Sequence, residues 1–171
     1  MDTGTGKTIM GLNHHQVYFK DKKLLIVAPA SKLNEGGWQR TIKDHYPQID
    51  YETCSYNMLP KKYKEFTDYF VIFDECHRLK NSTGKWGKAG YELTKIASGF
   101  ILLSATCIPN GWEDSINYFK MFKLTKNKTS FIKEIDKVKF LIHPQAIQKI
   151  KKINDETINF IFCHTIIYRL F

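Results

Sequence analysis

Three short, uninterrupted apolar runs constrain this 171-residue chain more than any other feature. They are Leu24-Leu25-Ile26-Val27-Ala28, Phe70-Val71-Ile72-Phe73 and Phe100-Ile101-Leu102-Leu103. A strand with one wet face alternates apolar and polar residues. A strand apolar at every position lies between two layers of helices, the setting of a central parallel strand. Each run hands over at once to turn or polar residues: Pro29 and Ser31, Asp74 and Glu75, Ser104 and Thr106. Open parallel sheets bind ligands at the carboxyl ends of their strands, so these residues are expected along one edge. Tyr51 to Tyr56 reads as a further strand. Residues 7–20 read as a helix with Ile9, Met10 and Leu12 apolar. Residues 35–46 read as another, with Asn34 as its cap, Trp38, Ile42 and Tyr46 four apart, and Pro47 as its stop. Asn110 to Glu113 has capping-box spacing and opens a helix to about Phe122, with Trp112, Ile116 and Phe119 along one face. Buried strands alternating with helices predict an α/β layered domain.

Asp2-Thr3-Gly4-Thr5-Gly6-Lys7-Thr8 stands at the head of the first helix. A glycine-rich turn ending Gly-Lys-Thr lets bare backbone N–H groups wrap a phosphate, with the positive end of the helix facing the anion. Gly4, Thr5, Gly6, Lys7 and Thr8 therefore form the expected cradle for the phosphates of a nucleotide. Lys7 reaches the β- and γ-phosphates and the Thr8 hydroxyl holds Mg²⁺. No residue precedes Met1 to form the strand that normally leads into such a turn, so the sheet is expected to lack its first strand. A triphosphatase also needs a carboxylate for the metal and a base that orients water. Asp74 and Glu75, at the end of the second apolar run, supply both: Asp74 for the metal, Glu75 for the water.

Composition narrows the partners. Lys and Arg outnumber Asp and Glu by 26 to 17, a net charge of +9 with a pI near 9.3. That balance favours polyanions, nucleic acid first, against the plainer reading of a basic solubility surface. Four scattered cysteines (Cys54, Cys76, Cys107 and Cys163) form no C-x-x-C pair, which argues against a zinc site or disulfide framework and fits a reducing cytosol. His14 and His15 read as ordinary helix residues, and Trp38 and Trp112 as core anchors. With no signal peptide and no apolar run near the roughly 20 residues needed to span a bilayer, the chain reads as soluble, with no membrane partner. The expected location is cytoplasmic, or nuclear in a eukaryote. From residue 123 the character changes. Lys123 to Lys139 suits a solvated face or a DNA track equally, and the β-prone stretch Ile158 to Phe171 would expose a sticky edge unless it pairs. The organisation expected is a lobe over residues 1–125 and a basic, then apolar, extension over 126–171.

Asp74-Glu75-Cys76-His77, followed by Ser104-Ala105-Thr106, resembles motifs II and III of superfamily 2 helicases, with the Gly-Lys-Thr turn as motif I. The wording around them is similar to the Swi/Snf-type DNA translocases and their phage and bacterial relatives. Leu25 to Ser31 looks like motif Ia, Trp38 like the tryptophan of the following helix, and Cys54-Ser55-Tyr56-Asn57 like motif Ib. Val71 to Asn81 and Leu103 to Asn110 resemble extended motifs II and III. The likeness covers about residues 2–122 in order.

The resemblance implies a P-loop NTPase fold, a RecA-like three-layer lobe with a mainly parallel central sheet. It implies an ATP-dependent DNA helicase or translocase in which Lys7, Asp74, Glu75 and His77 serve catalysis. His77 would bond toward Ser104 or Thr106 in the coupling motif Ser104, Ala105 and Thr106. Pro29, Ser31, Lys32, Ser55 and Tyr56 would contact the backbone of DNA, duplex or single strand. Departures from the pattern are Met1 in place of the first glycine, Cys107 in place of a proline, and nothing after residue 125 that resembles a second RecA-like lobe. The chain is therefore expected to be a truncated first lobe, with weak or no ATPase alone and a second lobe needed in trans. A non-catalytic nucleic-acid-binding remnant and an unrelated P-loop NTPase are the competing readings.

Overall fold

The computed structural model of the chain describes residues 6–105, 112–126, 129–130 and 166–168, with residues 112–113 and 166–168 described by backbone alone. Among these, five strands form one sheet: β1 (Leu24–Ala28), β2 (Tyr51–Ser55), β3 (Phe70–Asp74), β4 (Gly99–Leu103) and β5 (Ile166–Tyr168). Their order is β2-β1-β3-β4-β5. The first four run parallel, with Val27 opposite both Cys54 and Phe73, and Phe73 opposite Leu102. The short β5 lies antiparallel on the outer edge of β4, Leu102 opposite Ile167. Part of the β-prone tail thus covers the edge that the sequence left open.

Both faces of the central strands are buried, as the apolar runs require. Leu24, Ile26, Phe70, Ile72, Ile101 and Leu103 pack with Leu12 of helix α1 (Lys7–Tyr18) and with Trp38 and Ile42 of helix α3 (Gly37–His45). Leu25, Val27, Val71, Phe73 and Leu102 pack on the other face. Their partners there are Leu59 of α4 (Leu59–Lys62), Leu93 of α5 (Lys85–Ile96), and Tyr118 and Met121 of α6 (Ile116–Met121). Each such side chain contributes roughly 1.5–3 kcal/mol when fully buried. The strand runs alone therefore outweigh any surface ion pair in the lobe, which is worth about 0–1 kcal/mol.

Three expectations are corrected. The helix expected over residues 35–46 is α3, but it starts at Gly37 behind a left-handed Gly36 (φ 70°, ψ 17°), and a separate short helix, α2 (Ala30–Asn34), precedes it. Asn34 is the last residue of α2 and not a cap. The left-handed Gly36 redirects the chain so that Trp38 and Ile42 face the sheet. The helix toward Phe122 begins as a 3-10 turn, Trp112–Ser115. Three residues per turn shift its phase relative to an α-helix, so Ile116, Asn117, Tyr118 and Met121 are buried while Phe119 is only half-buried. Asn110, the expected cap, lies outside the described residues. Helix α5 was not expected at all, because its sequence is rich in glycine and lysine.

That glycine content has a packing reason. A Cβ on Gly87 would stand 2.0 Å from the Asn81 carbonyl oxygen and 2.8 Å from its carbon, and these are backbone atoms that cannot swing away. Asn117 ties the same corner, its Nδ2 donating to the carbonyls of Leu79 at 2.6 Å and Gly87 at 3.2 Å. Gly87→Ala is expected to lower stability by about 1–3 kcal/mol, read as a reduced urea midpoint. Gly37→Ala, where a Cβ meets nothing within 4 Å, is expected to be neutral or to stabilise by a few tenths up to about 1 kcal/mol. Equal responses at the two sites would refute the packing account.

Candidate functional site

The chain leaves β1 outward to β2, then returns to β3 on the other side of β1. At such a reversal the connections depart to opposite faces, and a crevice opens at the carboxyl ends of the two strands. Here α2 and α3 follow β1 on one face, and α5 lies on the other. The crevice between β1 and β3 receives Lys32 from α2 and Asp74 and Glu75 from the end of β3.

Asp74 is the last residue of β3 and is 5% exposed. Trp38 Nε1 donates to its Oδ2 at 3.0 Å, and the Glu75 amide donates to its Oδ1 at 3.0 Å. Each oxygen therefore keeps acceptor capacity directed elsewhere. Burial raises its pKa above the usual aspartate value, partly offset by the Trp38 bond and the Lys32 charge. Glu75 follows at φ 54° and ψ 50°, left-handed for a non-glycine residue. Such a conformation costs on the order of 1–3 kcal/mol and persists only where surroundings enforce it. It ends the strand abruptly, starts the 3-10 turn Cys76–Leu79, and leaves the carboxylate in the crevice. Lys32 Nζ donates to Glu75 Oε1 at 2.7 Å and lies 4.0 Å from Asp74 Oδ2. Burial pushes the Glu75 pKa up, but the Lys32 bond and the charges of Lys32, His77 and Lys7 outweigh it, so the net shift is downward.

Lys7 is thus near enough to Glu75 for its charge to be felt there. It begins α1, whose first turn has no acidic residue and no side-chain cap. Gly6, at φ 70°, supplies the left-handed turn that L side chains resist. Thr8 is half-buried beside it. His77 Nδ1 lies 3.1 Å from Ser104 Oγ and 3.3 Å from Glu75 Oε2, joining β3 to the end of β4. Ala105 is exposed. Gly4, Thr5 and Thr106 lie outside the described residues.

Of the residues expected to face DNA, Ser31 is exposed and Ser55 half-buried, while Lys32 turns inward to the carboxylates. Two are corrected. Pro29 is buried, and Tyr56 is 2% exposed with its hydroxyl donating to the Asp74 carbonyl at 2.8 Å. Neither side chain can reach a polyanion; Tyr56 instead braces the end of β3. Trp38 is a core anchor at 4% exposure and also a donor to Asp74. Nothing in its spacing reveals that second role, because the bond crosses from a helix to a strand 36 residues away.

The donor set fits Mg²⁺ with a polyphosphate. No group of three or more His, Cys, Asp or Glu side chains gathers among the described residues. One buried carboxylate suits a hard ion that keeps waters and takes phosphate oxygens, rather than an all-protein cage.

No protein-family model matches the chain. It is 30% identical to a SWI/SNF-related matrix-associated actin-dependent regulator of chromatin subfamily A-like protein 1 homolog from Caenorhabditis elegans, covering 61% of this chain and 18% of that protein. It is 32% identical to the corresponding protein of Drosophila melanogaster, covering 61% and 16%. Over this stretch the chain is similar to Swi/Snf-related proteins. The chain spans less than a fifth of the length of either relative. The fold is similar to that of the Sulfolobus solfataricus SWI2/SNF2 ATPase core in complex with dsDNA, at TM-score 0.59 and 20% identity, over 70% of this chain and 30% of that one. No helix among the described residues is long and apolar enough to cross a membrane.

The two carboxylates of the crevice are expected to titrate in opposite senses. Asp74, raised by burial, disfavours its ionised form in the fold, a penalty relieved as pH falls through its raised value. Glu75, held down by Lys32, contributes stability that is present above its unfolded value of about 4.3 and is lost as pH falls through its lower folded one. Carboxyl-carbon NMR titration should find Asp74 above and Glu75 below their ordinary values. Trp38→Phe should move Asp74 further up. Both groups titrating at ordinary values would refute this electrostatic picture.

Proposed function

We propose that this lobe binds ATP with Mg²⁺ and supplies the hydrolytic half-site of a DNA translocase. The convergence of Lys32, Asp74 and Glu75 on one crevice at the ends of parallel strands, with the charge of Lys7 felt at Glu75, carries the reading. The relatives' SWI/SNF identity and the neighbour's double-stranded DNA complex support it.

In this reading the first-turn amides of α1, with Gly6, receive the phosphates, Lys7 neutralises their outer charge, and Thr8 and Asp74 hold the metal. Bound Mg²⁺ supplies charge neutralisation at the β- and γ-phosphates. Trp38 fixes the rotamer of Asp74, leaving its remaining lone pairs for the ion. Glu75 accepts a hydrogen bond from the attacking water and orients it toward the γ-phosphate. His77, between Glu75 and Ser104, links the state of that carboxylate to the end of β4. Ser31 and Ser55 face DNA phosphates, which positions the duplex without reading its sequence. Translocation belongs to the assembled motor, of which this lobe is one part.

Calorimetric titration of Mg·ATP is expected to show binding that falls at least tenfold in Lys7→Ala and in Asp74→Asn. Any turnover is expected to be lost in Glu75→Gln with binding retained. A short duplex is expected to bind at low salt and dissociate as salt rises. Nucleotide affinity that is undetectable, or unchanged in Lys7→Ala, would remove the basis of the proposal.

A further inference from the structure

Lys32 stands at the pivot of the crevice. As a residue after motif Ia it is expected to face outward to a DNA phosphate, yet its ammonium sits 2.7 Å from Glu75 and 4.0 Å from Asp74. The two side chains it serves are 19% and 7% exposed, while its own is 35% exposed. The carboxylates are therefore enclosed and the lysine is at the rim. Two adjacent buried anions require a compensating cation. Also near Glu75 are Lys7, felt only through its charge, and His77, whose ring nitrogen lies 3.3 Å away. Lys32 alone among the described residues donates a lysine hydrogen bond to the pair.

A lysine suits exchange between partners. Its ammonium is a compact charge on a flexible stem with no fixed fork geometry. Ser31, the preceding residue, is exposed on the same short helix, so a polyanion held there comes within reach of the same stem. A metal ion arriving at Asp74 meets an ammonium already balancing the site's charge, and like charges at such range oppose each other. DNA phosphate offers that ammonium another anion.

We propose that Lys32 is a resident counter-ion of the Asp74–Glu75 pair, a positioning residue that holds Glu75 while no other cation competes and releases it when DNA phosphate engages the lysine. Occupancy at the DNA face and at the metal–nucleotide face are thereby coupled through one ammonium. This rests on the nucleotide-and-DNA reading above. Because binding coupling is reciprocal, duplex must tighten Mg·ADP by the same factor as Mg·ADP tightens duplex.

The test is calorimetric titration of Mg·ADP, with and without a short duplex, on the full chain and on Lys32→Met, Lys32→Arg and Lys7→Ala. Duplex is expected to tighten Mg·ADP binding about fivefold or more in the unmodified chain, the lower end of usual coupling. Lys32→Met is expected to bind Mg·ADP as tightly without duplex as the unmodified chain does with it, and to lose the response. Its duplex affinity should show a salt slope lower by about one. Lys32→Arg is expected to retain the response. Lysine-ammonium NMR on the unmodified chain gives a readout independent of any variant's folding: the Lys32 signal should shift on adding either ligand. Binding lost in Lys7→Ala but unchanged by Lys32→Met, or an unmoved Lys32 signal, overturns the counter-ion role and leaves the nucleotide site standing. Absence of Mg·ADP binding in every variant overturns both.

Discussion

A carboxylate at the end of a fully buried strand is the constraint on which this lobe turns. β3 is covered on both faces, so its last residue, Asp74, leaves the hydrophobic layers while still largely enclosed. An enclosed anion needs donors. The fold brings them from three directions: the indole of Trp38, the amide of Glu75, and the ammonium of Lys32 at longer range. The Tyr56 hydroxyl meanwhile bonds the carbonyl of the same residue. Three separate segments are thus anchored to one strand end, and removing any of them leaves a buried polar group short of a partner.

The position of that strand end follows from topology. Strand order 2-1-3-4 forces the chain to double back across β1, and the connections after β1 and β3 depart to opposite faces. A gap at the carboxyl ends is the geometric result, with α2 on one wall and Glu75 on the other. The left-handed backbone at Glu75 serves the same end, turning the chain sharply enough that consecutive carboxylates both reach the gap. Successive residues of a straight strand would point to opposite faces.

Much of this was legible in the sequence, for identifiable reasons. The strands were readable because Leu24–Ala28, Phe70–Phe73 and Phe100–Leu103 are apolar at every position, a pattern that only double burial explains. Asp74 and Glu75 were readable because they follow such a run directly. What failed was whatever depended on two segments meeting. The left-handed turn at Gly36, which separates α2 from α3, is a backbone event that the spacing of Trp38, Ile42 and Tyr46 does not report, since those residues all lie after it. Helix α5 escaped because Gly87 and Gly90, poor helix formers, are demanded by the close approach of Asn81 and Leu79. Tyr56 followed a strand like the other edge residues, but its neighbour in space is the backbone of a strand 18 residues on, and that pulled it inward.

The same reasoning separates the two kinds of basic residue in the chain. A net charge of +9 attracts polyanions in a general way and says nothing about where they sit. Most described lysines that make ion pairs do so at the surface, as Lys22 with Asp68 and Lys95 with Glu92 do, with both partners well exposed. Such pairs are screened by salt and contribute little. Lys80 with Asp114 and Lys32 with Glu75 differ because their partners are enclosed, and of these two Lys32 serves a pair of carboxylates at a strand end, so its charge acts where screening is weak. Position relative to the buried strand ends, more than the number of lysines, is what gives a positive charge in this lobe a specific role.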